Sequence, residues 1–120
     1  MVAKQKVLIS AMRHEAKGIL SVEMVSAQAD DLIPFSAGGH IDVFLRDGLV
    51  RQYSLMNDPK DSNRYQFAVL LENAGRGGSA FVHQSLRVGD VIEVSHPRNN
   101  FEVADGATSH VFVAGGIGIT

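Results

Sequence analysis

The sequence predicts a mainly β fold: a small six-stranded antiparallel Greek-key barrel with one short helix, followed by the first strand of a truncated α/β unit. Three observations lead there. Apolar and polar residues alternate with a period of two in several short runs, as half-buried strands require. Glycine, asparagine and proline separate those runs at short intervals. About six strands in roughly 100 residues are best closed into a barrel, because closure removes the edges that invite aggregation.

Taken in order, residues 5–13 and 18–26 read as strands. In His40-Ile41-Asp42-Val43-Phe44-Leu45-Arg46, alternation puts Ile41, Val43 and Leu45 on one face. Asp47-Gly48 then supplies a tight hairpin turn into a strand near 49–56. Tyr65, Phe67, Val69 and Leu71 form a second alternating set, and Val91-Ile92-Glu93-Val94 a shorter third. Residues 79–86 break the pattern and pair Val82 with Leu86 at i, i+4. They read as a short helix with Gly78 or Ser79 at its N-cap. Residues 99–109 look like a linker. After them, His110-Val111-Phe112-Val113-Ala114 reads as a buried strand running into a glycine turn. The expected division is a barrel over 1–104, then a linker and the start of a second unit over 105–120.

Composition narrows the function. The 120 residues carry 11 basic and 13 acidic side chains, a net charge of −2, with no basic patch for nucleic acid. There is no cysteine, which removes disulfides, thiolate metal sites and cysteine nucleophiles from this stretch. No apolar run approaches the roughly 18 residues that span a bilayer, and the first one alternates like a strand rather than a signal-peptide core. The expected setting is the cytoplasm, away from membranes.

Two motifs carry chemistry. Arg51-Gln52-Tyr53-Ser54-Leu55 offers a fixed cation, an aromatic ring and a hydroxyl. Alternation places Arg51 and Tyr53 on one face and Ser54 on the other. Arginine can hold a phosphate bidentately, and a phenol can stack on a flat heterocycle. Gly75-Arg76-Gly77-Gly78-Ser79 offers bare backbone amides at a helix start, where the first N–H groups lack partners and favour an anion. Each motif has a plain alternative: a barrel strand with a surface arginine and a half-buried tyrosine, or a flexible glycine turn. Together, in this order, they suit a flat aromatic cofactor that carries a phosphate.

These residues resemble a known family. Arg51-Gln52-Tyr53-Ser54 looks like the Arg-x-Tyr-Ser flavin motif of the ferredoxin-reductase superfamily. Arg64-Tyr65-Gln66-Phe67-Ala68-Val69, the glycine-rich run and His96-Pro97-Arg98-Asn99-Asn100-Phe101 are similar to the phthalate dioxygenase reductase and vanillate demethylase reductase family. The stretch from Val111 to Thr120 resembles that family's entry into its NAD domain. The resemblance covers nearly the whole chain.

The resemblance implies a flavin barrel, an NAD-binding α/β domain and a plant-type [2Fe–2S] domain, passing electrons from NADH through FMN to the cluster and a terminal oxygenase. It implies that Arg51 binds the flavin phosphate, Tyr53 packs against the isoalloxazine and Ser54 lies near its reactive nitrogen, with Gln52 inside the same motif. Backbone at Ala68, Val69 and Leu70 lines the ring's polar edge, and Gly77, Gly78 and Ser79 cradle the phosphate, with Arg76 beside them. Thr120 touches the ring from the NAD side. Leu70 stands where a basic residue is expected. Its neutrality implies a modestly lower flavin potential unless a backbone amide or Arg76 substitutes.

Other candidates are weaker. Gly115, Gly116 and Gly118 follow a strand and could open a dinucleotide turn, but they are not a full Gly-x-Gly-x-x-Gly. The five histidines lie far apart with no metal-ligand spacing. No catalytic acid, base or nucleophile stands out, and electron relay through a flavin needs none. A FAD-binding relative would need stacking for an adenosine, and no aromatic residue lies between Leu71 and Ala80. The competing reading is a non-catalytic barrel serving as an interaction module. Without the domains that would hold NADH and the cluster, these residues alone are expected to turn over NADH slowly or not at all.

Overall fold

The computed structural model describes residues 3–28, 30–46, 48–61, 63–71 and 77–99, together with 106, 108, 109, 111 and 113. Its strands are β1 (Lys4–Ala16), β2 (Ile19–Ser26), β3 (His40–Phe44), β4 (Val50–Ser54), β5 (Tyr65–Leu70) and β6 (Val91–Ser95), with one helix, α1 (Gly78–Gln84), between β5 and β6. They form a single sheet in the order β4-β3-β6-β1-β2-β5, every pair antiparallel. β6 returns between β3 and β1, the long-range step of a Greek key. The outer strands β4 and β5 then meet. The Met56 N–H donates to the Gln66 carbonyl at 2.8 Å, and the Tyr53 ring lies on Phe67 with centroids 4.4 Å apart and planes 9° from parallel. The predicted six-stranded barrel is therefore the observed one.

Alternation decides what faces the centre. Ile41 and Val43 of β3, Tyr65, Phe67 and Val69 of β5, and Val94 of β6 are buried together with Val7, Ile9, Val22 and Met24. Each such aliphatic or aromatic side chain taken from water contributes about 1.5–3 kcal/mol. β1 breaks the simple rule. Its register against β2 shifts between Ile9 and Ala11, and inward positions change from Val7 and Ile9 to Met12. A bulge inserts one residue and so moves the buried set by one position. At the β3–β4 hairpin the Leu49 N–H donates to the Arg46 carbonyl at 2.8 Å, and Gly48 adopts a φ of +76° that a side chain would oppose.

α1 starts earlier than expected. Its N-cap is Gly77, not Gly78 or Ser79, and Gly77 makes no side-chain cap. The residue takes a left-handed φ of 92°. Glycine reaches that conformation without strain, so the chain turns into the helix without a capping hydroxyl. Val82 and Leu86 fasten the segment to the core.

A polar network closes another part of the barrel. Gln5 Nε2 donates to the Tyr65 hydroxyl at 2.9 Å, that hydroxyl donates to the Ile33 carbonyl, and Ile33 N–H donates to Gln5 Oε1 at 2.9 Å. Burial pushes the Tyr65 phenol above its ordinary 10.0, with the Gln5 hydrogen bond opposing the shift. Above a pH of about 10 the unfolded chain loses this proton while the folded chain keeps it, so stability falls as pH rises. Tyr65→Phe is expected to cost about 1–3 kcal/mol, since it strands Gln5 and the Ile33 carbonyl. Urea midpoints at about pH 8 and about pH 10.5 should fall more steeply in the parent than in the variant.

Candidate functional site

β4 turns two side chains to the barrel rim. Arg51 pairs with Val43 and Tyr53 with Ile41, and both are half-buried, while Val50, Gln52 and Ser54 face outward and are exposed. Arg51 donates from Nη1 to the Val50 carbonyl at 2.8 Å. Its stem runs directly across Gly78. A Cβ built on Gly78 would sit 2.6 Å from Arg51 Nε, 2.7 Å from Cγ and 3.0 Å from Cδ. No side chain fits there, so only glycine lets the arginine lie against the start of α1. The cation of β4 and the first turn of α1 occupy one place.

β5 supplies a second component. Gln66 turns both main-chain groups toward the β4 side: its carbonyl accepts from Met56, and its N–H donates to Asn57 Oδ1 at 3.0 Å. Main-chain direction alternates along a strand, so Ala68 and Leu70 point the same way. Leu71 confirms the parity, donating in the opposite direction to the Gly18 carbonyl at 2.8 Å. Ala68 and Leu70 form no ladder with β4, and among the described residues nothing pairs with their outward N–H and C=O groups. An open strand edge thus lies next to the Tyr53–Phe67 stack. Val69 differs. Its carbonyl turns the other way and accepts a hydrogen bond from His83 Nε2 in α1 at 2.8 Å.

The structure therefore gathers Arg51, Gly77, Gly78 and Ser79 at one end and Tyr53, Ala68 and Leu70 beside them. Gln52 stands opposite Asp42 on the outward face. Ser54 ends β4 on that same face, across from His40. The Leu55 N–H donates to the Gly39 carbonyl, which makes His40 and Ser54 a non-hydrogen-bonded pair, the closer side-chain type. His40 Nε2 is buried with no partner among the described residues. On its other side, His40 exchanges main-chain hydrogen bonds of 2.8 and 3.0 Å with Arg98, whose guanidinium pairs with Asp42 at 2.7 Å. Arg76, Gly115, Gly116, Gly118 and Thr120 lie outside the described residues, and of the expected buried strand over 110–114 only Val111 and Val113 are described, both exposed and outside any strand. His83 was invisible to sequence reasoning, since no spacing or motif marks a histidine that reaches another element.

A six-stranded antiparallel barrel whose arginine crosses a glycine at a helix start, next to a stacked tyrosine and an open strand edge, is the architecture of a flavin-binding domain of the ferredoxin-reductase type. Residues 12–103 match the oxidoreductase FAD-binding domain, and the chain belongs to that family. It is 49% identical over 115 residues to a vanillate O-demethylase oxidoreductase of Pseudomonas sp. (strain HR199 / DSM 7063), covering 96% of this chain and 36% of that protein. It is 45% identical over 112 residues to the reductase subunit of a tert-butanol monooxygenase / tert-amyl alcohol desaturase of Aquincola tertiaricarbonis, covering 93% of this chain and 33% of the relative. The solved structure of phthalate dioxygenase reductase, a modular protein for electron transfer from pyridine nucleotides to [2Fe–2S], superposes with a TM-score of 0.93 at 41% identity, over 98% of this chain and 36% of that one. The chain thus spans about a third of the length of these relatives. No helix among the described residues is long and apolar enough to cross a membrane.

Proposed function

We propose that the chain is the FMN-binding domain of a cytoplasmic, NADH-dependent oxygenase reductase, which passes electrons through a [2Fe–2S] centre to a terminal oxygenase. The observation that carries this reading is the Arg51 stem lying across Gly78, which brings a permanent cation to the glycine that opens α1. That combination fits a terminal phosphate. When bound, the flavin supplies the conversion of a two-electron hydride into single electrons.

The chain's own residues bind and orient. Arg51 holds the phosphate with the backbone of Gly77, Gly78 and Ser79, and Arg76 is assigned as a second cation. Tyr53, backed by Phe67, offers a ring for stacking. The outward main-chain groups of Ala68 and Leu70 meet the polar edge of the heterocycle, and Val69 supports them from behind. Ser54 lies with Gln52 on the outward face of the same strand, next to Tyr53 in sequence, and is assigned to the flavin's reactive nitrogen. Thr120 and the turn of Gly115, Gly116 and Gly118 belong to the side that receives NADH.

The family's description favours FAD as the second reading. The stretch from Leu71 to Ala80 contains no aromatic residue to stack an adenine, which supports FMN. Mass spectrometry of the cofactor released from purified protein decides between them. FMN is expected; recovery of FAD alone would overturn the choice. Protein that stays colourless and leaves added FMN fully fluorescent would end the flavin reading altogether.

A further inference from the structure

We infer that His83 is the positioning residue that couples the phosphate end of this site to its ring end. The inference rests on the flavin reading above and adds a residue to it. His83 sits in α1, five positions after Gly78, and its half-buried ring gives the Nε2–H to the Val69 carbonyl at 2.8 Å. Val69 stands between Ala68 and Leu70, the two residues with open main-chain groups. One short side chain therefore joins the helix that begins at Arg51's glycine to the strand whose edge meets the ring.

The apolar contacts of α1 are less directional. Val82 and Leu86 are buried, but apolar contact fixes depth better than position along a strand. Arg46 lies over the Phe81 ring at 5.0 Å and ties α1 to the β3–β4 hairpin, not to β5. The hydrogen bond of His83 has a defined length and direction. It also displaces nothing. The pairing of Ile19 with Leu70, and the Leu71 to Gly18 hydrogen bond, turn the Val69 carbonyl toward β2, and a carbonyl oxygen has a second lone pair for the imidazole. Both the neutral Nε2–H tautomer and the imidazolium donate there, so the link does not depend on the ring's charge. A shift of α1 pulls Val69, and the flanking Ala68 and Leu70 move with it.

The test is a double-mutant cycle on this chain, read by the dissociation constants of FMN and of riboflavin, which has no phosphate. His83→Leu removes the link and His83→Gln can remake it. With a link worth one hydrogen bond, His83→Leu is expected to weaken riboflavin about 5- to 10-fold although riboflavin never reaches Arg51. The FMN penalty of Arg51→Ala should shrink by about 3-fold or more in the His83→Leu background, and His83→Gln should restore most of both effects. In the flavin-free chain the amide NMR shifts of Ala68 and Leu70 should move in His83→Leu and return in His83→Gln. Additive penalties with unmoved amides would overturn the coupling and leave the flavin site standing. A parent chain that binds neither ligand would remove the flavin reading, with the amide shifts still reporting the mechanical link. Should His83→Leu fail to fold, a glutamine variant that folds yet binds riboflavin no better than an alanine variant would overturn the role.

Discussion

Gly78→Ala is expected to weaken FMN binding about 100-fold while the barrel remains folded. The added methyl collides with Nε, Cγ and Cδ of Arg51 at 2.6–3.0 Å, so the arginine must leave its rotamer. Gly78 itself does not occupy the positive-φ region, and alanine suits its backbone. The stability cost is then that of moving one long side chain, about 0.5–1.5 kcal/mol. A second substitution sharpens the expectation. In an Arg51→Ala background these three atoms are gone, so Gly78→Ala should cost little stability and weaken FMN little further. Equal losses in both backgrounds would mean that Gly78 acts through something other than Arg51. Thermal melts and FMN fluorescence quenching on the four chains measure both outcomes.

Arg51→Ala should weaken FMN by about 100-fold and riboflavin by less than about 3-fold. A bidentate, charge-assisted pair to a phosphate is roughly twice as strong as a neutral hydrogen bond, and it vanishes with the guanidinium. Arg51→Lys should recover only part of the loss, because an ammonium cannot reproduce the planar fork and its stem would lie differently over Gly78. Raising salt should narrow the gap between FMN and riboflavin in the parent and narrow it less in Arg51→Ala. Equal losses for the two ligands would take the phosphate away from this residue and assign it a packing role.

Much of the fold was readable from residue order. Ile41 and Val43, and Tyr65, Phe67 and Val69, alternate cleanly because each strand has one wet face and one dry face. The face shared by Arg51 and Tyr53 followed from the same parity. The errors have physical causes. β1 runs from Lys4 to Ala16, beyond the expected span, because a bulge resets its alternation midway. The start of α1 was misplaced because a left-handed glycine cap carries no hydroxyl signature. Contacts between distant segments were out of reach. Gln5 and Tyr65, or His83 and Val69, meet only once the barrel has closed, and neither histidine nor glutamine advertises its partner in one dimension.

Ala68 and Leu70 are also expected to affect how the newly made protein fares in a crowded cell before flavin is bound. Bare strand positions are templates for any passing extended polypeptide. Leu70 is 40% exposed and adds an apolar hook at the same spot. A ring lying along those atoms would shield them as a neighbouring strand does elsewhere in the sheet. Vitamin starvation should then appear first as clumping and proteolytic loss of this polypeptide.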